Sequence, residues 1–118
     1  MLKVFMCFVM VFVVNLCHAS GLSYFKESGK WLITCGEHYV SASERDMIYF
    51  VMAIKGNDAL LFKKLENDGR VFKLKKNSRV QIVIPVDSQT MILSIRPLGE
   101  EILLYTMPVG WCPITSPD

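Results

Sequence analysis

MIYFVMAIKGNDALLFKKLENDGRVFKL, Met47 to Leu74, sits in the middle of the chain, and its reading as strands or as helices decides the fold class. From Met47 to Ile54 every residue is apolar, and Ile48, Tyr49, Phe50, Val51 and Ile54 are β-branched or aromatic, which fits a central strand better than a surface helix with a polar side. A helix is the alternative, because Ser43 to Asp46 matches a capping box just ahead of the run. Farther on, ALLFKKL (59–65) and RVFKL (70–74) flank Asp68-Gly69, a strong two-residue turn signal, so this part reads as a β-hairpin. A short helix within 57–67 is again the alternative: Leu61 and Leu65 have helical spacing, Asn57 is a candidate N-cap and Gly69 a candidate stop.

The flanking segments repeat the strand pattern. KWLITC (30–35) alternates, with Trp31, Ile33 and Cys35 on one face, and VQIVIP (80–85) places Val80, Ile82 and Ile84 together. In TMILSIRP (90–97), Met91, Leu93 and Ile95 are expected to face in, and Thr90, Ile92, Ser94 and Arg96 out. ILLYTMP (102–108) follows a turn at Gly99 and, like 47–54, is apolar on both faces. Pro85, Pro97, Pro108 and Pro113 fall at strand ends or beyond, where a missing N–H does least harm. Short strands with turn signals at this spacing predict an all-β (mainly β) chain, a small antiparallel sandwich or barrel of about six to eight strands. No repeat or Pro/Gly/Ser-rich linker divides the chain, so residues 20–118 are read as a single β domain.

The chain of 118 residues opens MLKVFMCFVMVFVVNLCHAS: one basic residue, an apolar run from Val4 to Leu16, then small residues around Ala19. These are the parts of a secretory signal, with cleavage expected after Ala19. An uncleaved anchor needs about 20 apolar residues, and the run here is broken by Asn15 and His18. Acylation at Cys17 would require small residues before it, where Val14, Asn15 and Leu16 stand. Cleavage over residues 1–19 would remove Cys7 and Cys17, leaving Cys35 and Cys112 to pair in an exported protein. A bridge closing so long a loop is worth roughly 4 to 5 kcal/mol in the chain-entropy model. Trp31 and Trp111 are expected near it, in the core or at its edge.

The chemistry-bearing residues are few. CGEH (35–38) is the one cluster of Cys, Glu and His; a thiol nucleophile at Cys35 with His38 as base, or a zinc site of Cys35, Glu37, His38 and Cys112, competes there with the disulfide. His38 by default is a partly exposed turn residue. No nucleophile elbow or phosphate-cradling glycine loop is present, so no enzyme, cofactor or metal is expected. Charge is uneven: basic residues dominate 45–79 and acidic ones the stretch beyond Val80. Lys63, Lys64, Arg70, Lys73, Lys75, Lys76 and Arg79 form a candidate face for an anionic partner. Export and the lack of an aromatic RNA-binding motif argue against nucleic acid. The expected function is non-enzymatic protein binding by an exported domain in the periplasm or outside the cell: an envelope accessory subunit, an inhibitor or immunity-type factor, or a secreted virulence factor. The alternatives are an enzyme centred on Cys35 and His38, or a β-barrel carrier of a small apolar ligand.

Overall fold

The computed structural model describes residues 21–117; the expected export signal, with Cys7 and Cys17, lies outside them. In chain order the elements are a one-turn helix α1 (Gly21–Tyr24), strands β1 (Trp31–Thr34) and β2 (Val40–Ser41), helices α2 (Glu44–Lys55) and α3 (Ala59–Asn67), and strands β3 (Arg79–Ile84), β4 (Leu93–Pro97), β5 (Leu104–Thr106) and β6 (Trp111–Ile114). The strands form one antiparallel six-stranded sheet in the order β2-β5-β4-β3-β1-β6.

That sheet is curled into a half-barrel. In a flat sheet β5 and β6, four strand spacings apart, would be separated by about 19 Å. Here the Trp111 indole N–H on β6 donates to the Thr106 hydroxyl on β5 at 3.0 Å. All six strands contribute to the core inside the curl, through Leu32, Val40, Val80, Ile82, Leu93, Ile95, Leu104 and Trp111, with Phe25 sealing one end alongside Val86. The interior is therefore filled by the chain's own side chains.

The expectation of an all-β chain is corrected at 47–74. Met47–Ile54 is helical: Ser43 caps α2, its hydroxyl accepting from Asp46 N–H at 3.3 Å, with Glu44 and Asp46 in the first turn and Lys55 in the last, as the helix dipole favours. Met47, Phe50, Val51 and Ile54 are buried at helical spacing. The opposite side looked apolar in sequence because it carries Met52, which is 57% exposed. Residues 59–67 form α3, the short helix held as the alternative within 57–67 rather than the favoured hairpin strand, and 70–74 is extended, joining the sheet at one bridge, Phe72 to Val40.

KGND, which joins the helices, does two jobs. Gly56 and Asn57 end α2 in a Schellman arrangement, Asn57 N–H reaching Ile54 O at 3.2 Å and Asp58 N–H reaching Ala53 O at 2.8 Å, with Asn57 at φ 59°. Asp58, rather than Asn57, then caps α3 by accepting from Leu61 N–H at 3.0 Å. Gly69, read as a hairpin residue, is the left-handed stop of α3 at φ 73°, with Arg70 N–H returning to Leu65 O at 3.0 Å.

The helices pack on the outer face of the sheet mainly at β2 and β5. There Met47, Phe50, Val51, Ile54, Leu65 and Val71 form a second core against Ile92, Tyr39 and Tyr105. This explains why 102–107 is apolar on both faces: Leu104 points into the curl and Tyr105 toward the helices. It also explains why Ile92 and Ser94, expected to face solvent, are buried while Arg96 alone is exposed. On β1 the inward residue is Leu32, so Trp31 and Ile33 share the outer face. A bulge between Ile82 and Ile84 turns Ile84 outward, 54% exposed. Pro113, expected beyond the last strand, lies within β6, an edge strand.

Candidate functional site

Cys35 and Cys112 are joined in a disulfide with Cα atoms 5.7 Å apart. Cys35 follows β1 directly and Cys112 faces Ile33 across the β1–β6 ladder, so the bond crosses that ladder diagonally on the outer face. The neighbouring turn is held as tightly. Cys35 N–H donates to Gly110 O at 2.9 Å. Gly110, at φ 89°, approaches the Glu37–His38 backbone so closely that a Cβ would collide with the Glu37 carbonyl and lie 2.7 Å from His38 Cα.

His38, expected to be partly exposed, is buried at 5% exposure, its ring 5.1 Å from that of Trp111. Its Nε2 accepts from Leu74 N–H at 2.9 Å, and its Nδ1 faces Gly36 O at 3.3 Å. The tautomer with the proton on Nδ1 satisfies both contacts, so the imidazole works as a bracket between the 35–38 turn and the chain leaving α3. Glu37 pairs instead with Lys73 at 2.6 Å. With the sulfurs bonded to each other and the other two groups engaged, the arrangement offers neither a thiolate nor an open ligand set. Among the described residues no group of three or more His, Cys, Asp or Glu is placed to hold a metal.

The basic residues are spread over three elements. Lys63 and Lys64 stand exposed on α3; Arg70, Lys73, Lys75 and Lys76 lie on the connection to β3; Arg79 begins β3, half-buried. Two of them have carboxylate partners: Lys73 as above, and Arg70, whose Nε is 4.0 Å from Asp46. Lys73 also sits 5.2 Å above the Tyr39 ring, whose hydroxyl reaches Glu66 at 3.5 Å. Burial pushes the Tyr39 hydroxyl above its ordinary value; the Lys73 charge opposes that shift, and Glu66 and Glu37 add to it. The hydrogen bond to Glu37 raises Lys73. Lys63, Lys64, Lys75 and Lys76 have no ion pair among the described residues.

Two features were not found by sequence reasoning. A cleft of about 490 Å³ opens at the ends of β1 and β6, lined by Tyr24, Lys30, Trp31, Ile114 and neighbours, where the Tyr24 hydroxyl lies 2.7 Å from Trp31 O and 2.9 Å from Ile114 O. Among the described residues α2 and α3 pack mainly on β2 and β5, which leaves the outer face of β3, β1 and β6 largely uncovered, with Arg96 at its margin. The second could have been read from the alternation of KWLITC once its core-facing phase was known. Among the described residues no helix is long and apolar enough to cross a membrane. No protein-family model, curated protein or solved structure matches this chain.

Proposed function

We propose that the chain is an exported, disulfide-stapled domain that acts by binding another protein, in the periplasm or outside the cell, as an accessory subunit, an inhibitor or immunity-type factor, or a secreted virulence factor. One observation carries this reading. The residues with nucleophilic or acid–base character at 35–38 are engaged in holding the fold, while four lysines at 63–64 and 75–76 are exposed and have no ion pair among the described residues. A structural disulfide fits an oxidising compartment, in line with an export signal ending at Ala19. Unpaired surface cations raise the encounter rate with an anionic partner, and Lys63, Lys64, Lys75, Lys76 and Arg79 are the residues proposed to do so, with Arg70 and Lys73 partly neutralised.

The test has two arms. Intact mass of the protein purified from producing cells is expected to show loss of residues 1–19 and no free thiol. A photo-crosslinker placed at Lys64 or Lys76 in those cells is expected to yield one dominant protein adduct. Two reactive thiols in the purified protein, or retention of the leader, would sink the exported and stapled parts. Adducts no different from those of a crosslinker placed at Gln89 would sink the binding face.

A further inference from the structure

The outer face of β3, β1 and β6 forms a lattice whose rows follow from strand register. Ile114, Trp31, Gln81 and Arg96 lie side by side across β6, β1, β3 and β4, and Cys112, Ile33 and Arg79 form the row beside it. Beyond the bulge Ile84 continues the same face, since it pairs with Ser94, two residues before Arg96. The helices pack on this side of the sheet mainly at β2 and β5; here Trp31, Ile33 and Ile114 are half-buried, with the Tyr24 hydroxyl against the Trp31 and Ile114 carbonyls at one end, and Ile84 is more than half exposed.

Charge on this face has one sign. No lattice position holds an acid, and Arg79 and Arg96 have no carboxylate partner among the described residues; Arg79 bonds only the Asn77 carbonyl, at 3.4 Å. Aromatic and aliphatic side chains flanked by arginines are the composition of energetic centres in protein interfaces. Guanidinium groups on rigid strands are also suited to gripping carboxylates bidentately. The size selects the occupant. Four strands about 4.8 Å apart and four residues at about 3.3 Å each cover roughly 14 by 13 Å, far below the ~800 Å² per side of a standard globular interface, and suited to one short segment. A second copy packed face to face would bring arginines toward arginines.

We propose that this face docks a short acidic segment of another protein, apolar side chains seated on Trp31, Ile33 and Ile114 and carboxylates on Arg79 and Arg96. The proposal rests on the protein-binding reading and replaces the lysine-rich region as the specific contact.

The probe is a labelled random copolymer of glutamate and tyrosine, titrated into the protein with its disulfide intact and read by polarisation and by tryptophan fluorescence. Trp111 is buried, so Trp31 is expected to report. Binding is expected to weaken about tenfold or more in Arg79→Glu/Arg96→Glu, and by a smaller factor in Arg96→Glu alone, whose side chain is exposed and whose melting temperature should not change. Arg45→Glu/Lys55→Glu, a reversal of two exposed charges on α2 outside either proposed face, should bind as the parent does. Equal binding of polyglutamate would overturn the apolar half. Binding of phosphatidylglycerol vesicles or heparin that depends on the same two arginines would overturn the peptide occupant, as would a concentration-dependent dimer that Arg96→Glu abolishes. If the copolymer does not bind while crosslinking at Lys64 still captures a protein, this face is overturned and the binding reading survives.

Discussion

Gly110 and Gly99 share a left-handed backbone, at φ 89° and φ 81°, but differ in surroundings: nothing lies within 4 Å of a Cβ built on Gly99, whereas one on Gly110 strikes the Glu37–His38 backbone. Gly99→Ala should therefore lose only about 1 to 2 kcal/mol for the left-handed conformation. Gly110→Ala must also push apart the turn that places His38 and the disulfide, and should lose about 3 kcal/mol or more. Urea midpoints of the two variants check this, and equal losses would mean the turn yields freely. Tyr39 and Lys73 make a second prediction at this scale. Both hold their protons more tightly folded than unfolded, above ordinary values of 10.0 and 10.5. Their contribution is complete below about pH 10 and disappears as pH climbs through the raised folded values. Stability should fall in that alkaline window, and Tyr39→Phe should flatten part of the fall in denaturation curves taken across it.

Among the elements, α2 and α3 show how local signals can serve two folds. A Gly at positive φ closes a hairpin or stops a helix, so Asp68-Gly69 alone does not choose; Ser43 and Asp58, each accepting from a backbone N–H three residues on, do. The periodicity of Met47, Phe50, Val51 and Ile54 was present in the sequence but masked by Tyr49 and Met52 on the far side, and by β-branched residues that tertiary burial overrides. The sheet was easier to read because Leu93 and Ile95 alternate as strands should, and Cys35 and Cys112 could be paired once Cys7 and Cys17 were assigned to the expected export signal. The outer face of β1 was not legible, since alternation gives two faces without saying which one a helix will cover. Asp58→Ala should cost about 1 kcal/mol and raise amide exchange throughout α3.

The sheet edges carry a separate prediction. Phe72 pairs with Val40 and covers β2 on one side. On the other, the Cys35 to Gly110 bond sets the ladder phase so that Pro113 faces away from β1, and its missing N–H interrupts the exposed edge of β6. Pro113→Thr restores a donor there and should produce self-association in sedimentation velocity at concentrations where the parent is monomeric. An unchanged sedimentation coefficient would show that the edge needs no such guard.

Over the whole molecule, the disulfide joins residues separated by 77 positions, enclosing helices α2 and α3 and four of the six strands. In the unfolded chain a link across that length removes roughly 4 to 5 kcal/mol worth of conformational freedom. Domains of this size retain only about 5 to 15 kcal/mol of net stability, so the bond accounts for a large share. The fold has other ties between its ends: the β1–β6 ladder itself, the His38 bond to Leu74, and the Trp111 to Thr106 to Tyr39 chain of hydrogen bonds at 3.0 and 2.6 Å. These hold the native state and cannot shrink the unfolded one. Cys35→Ser/Cys112→Ser should accordingly keep a native-like near-UV spectrum at low temperature, yet unfold at a urea concentration lower by most of the parent's midpoint, with a steeper denaturant dependence because its unfolded chain is more open. Adding reductant to the parent should reproduce that curve. If the reduced and oxidised proteins unfold at the same midpoint, the two cores alone supply the stability, and the case for an oxidising compartment loses its energetic basis.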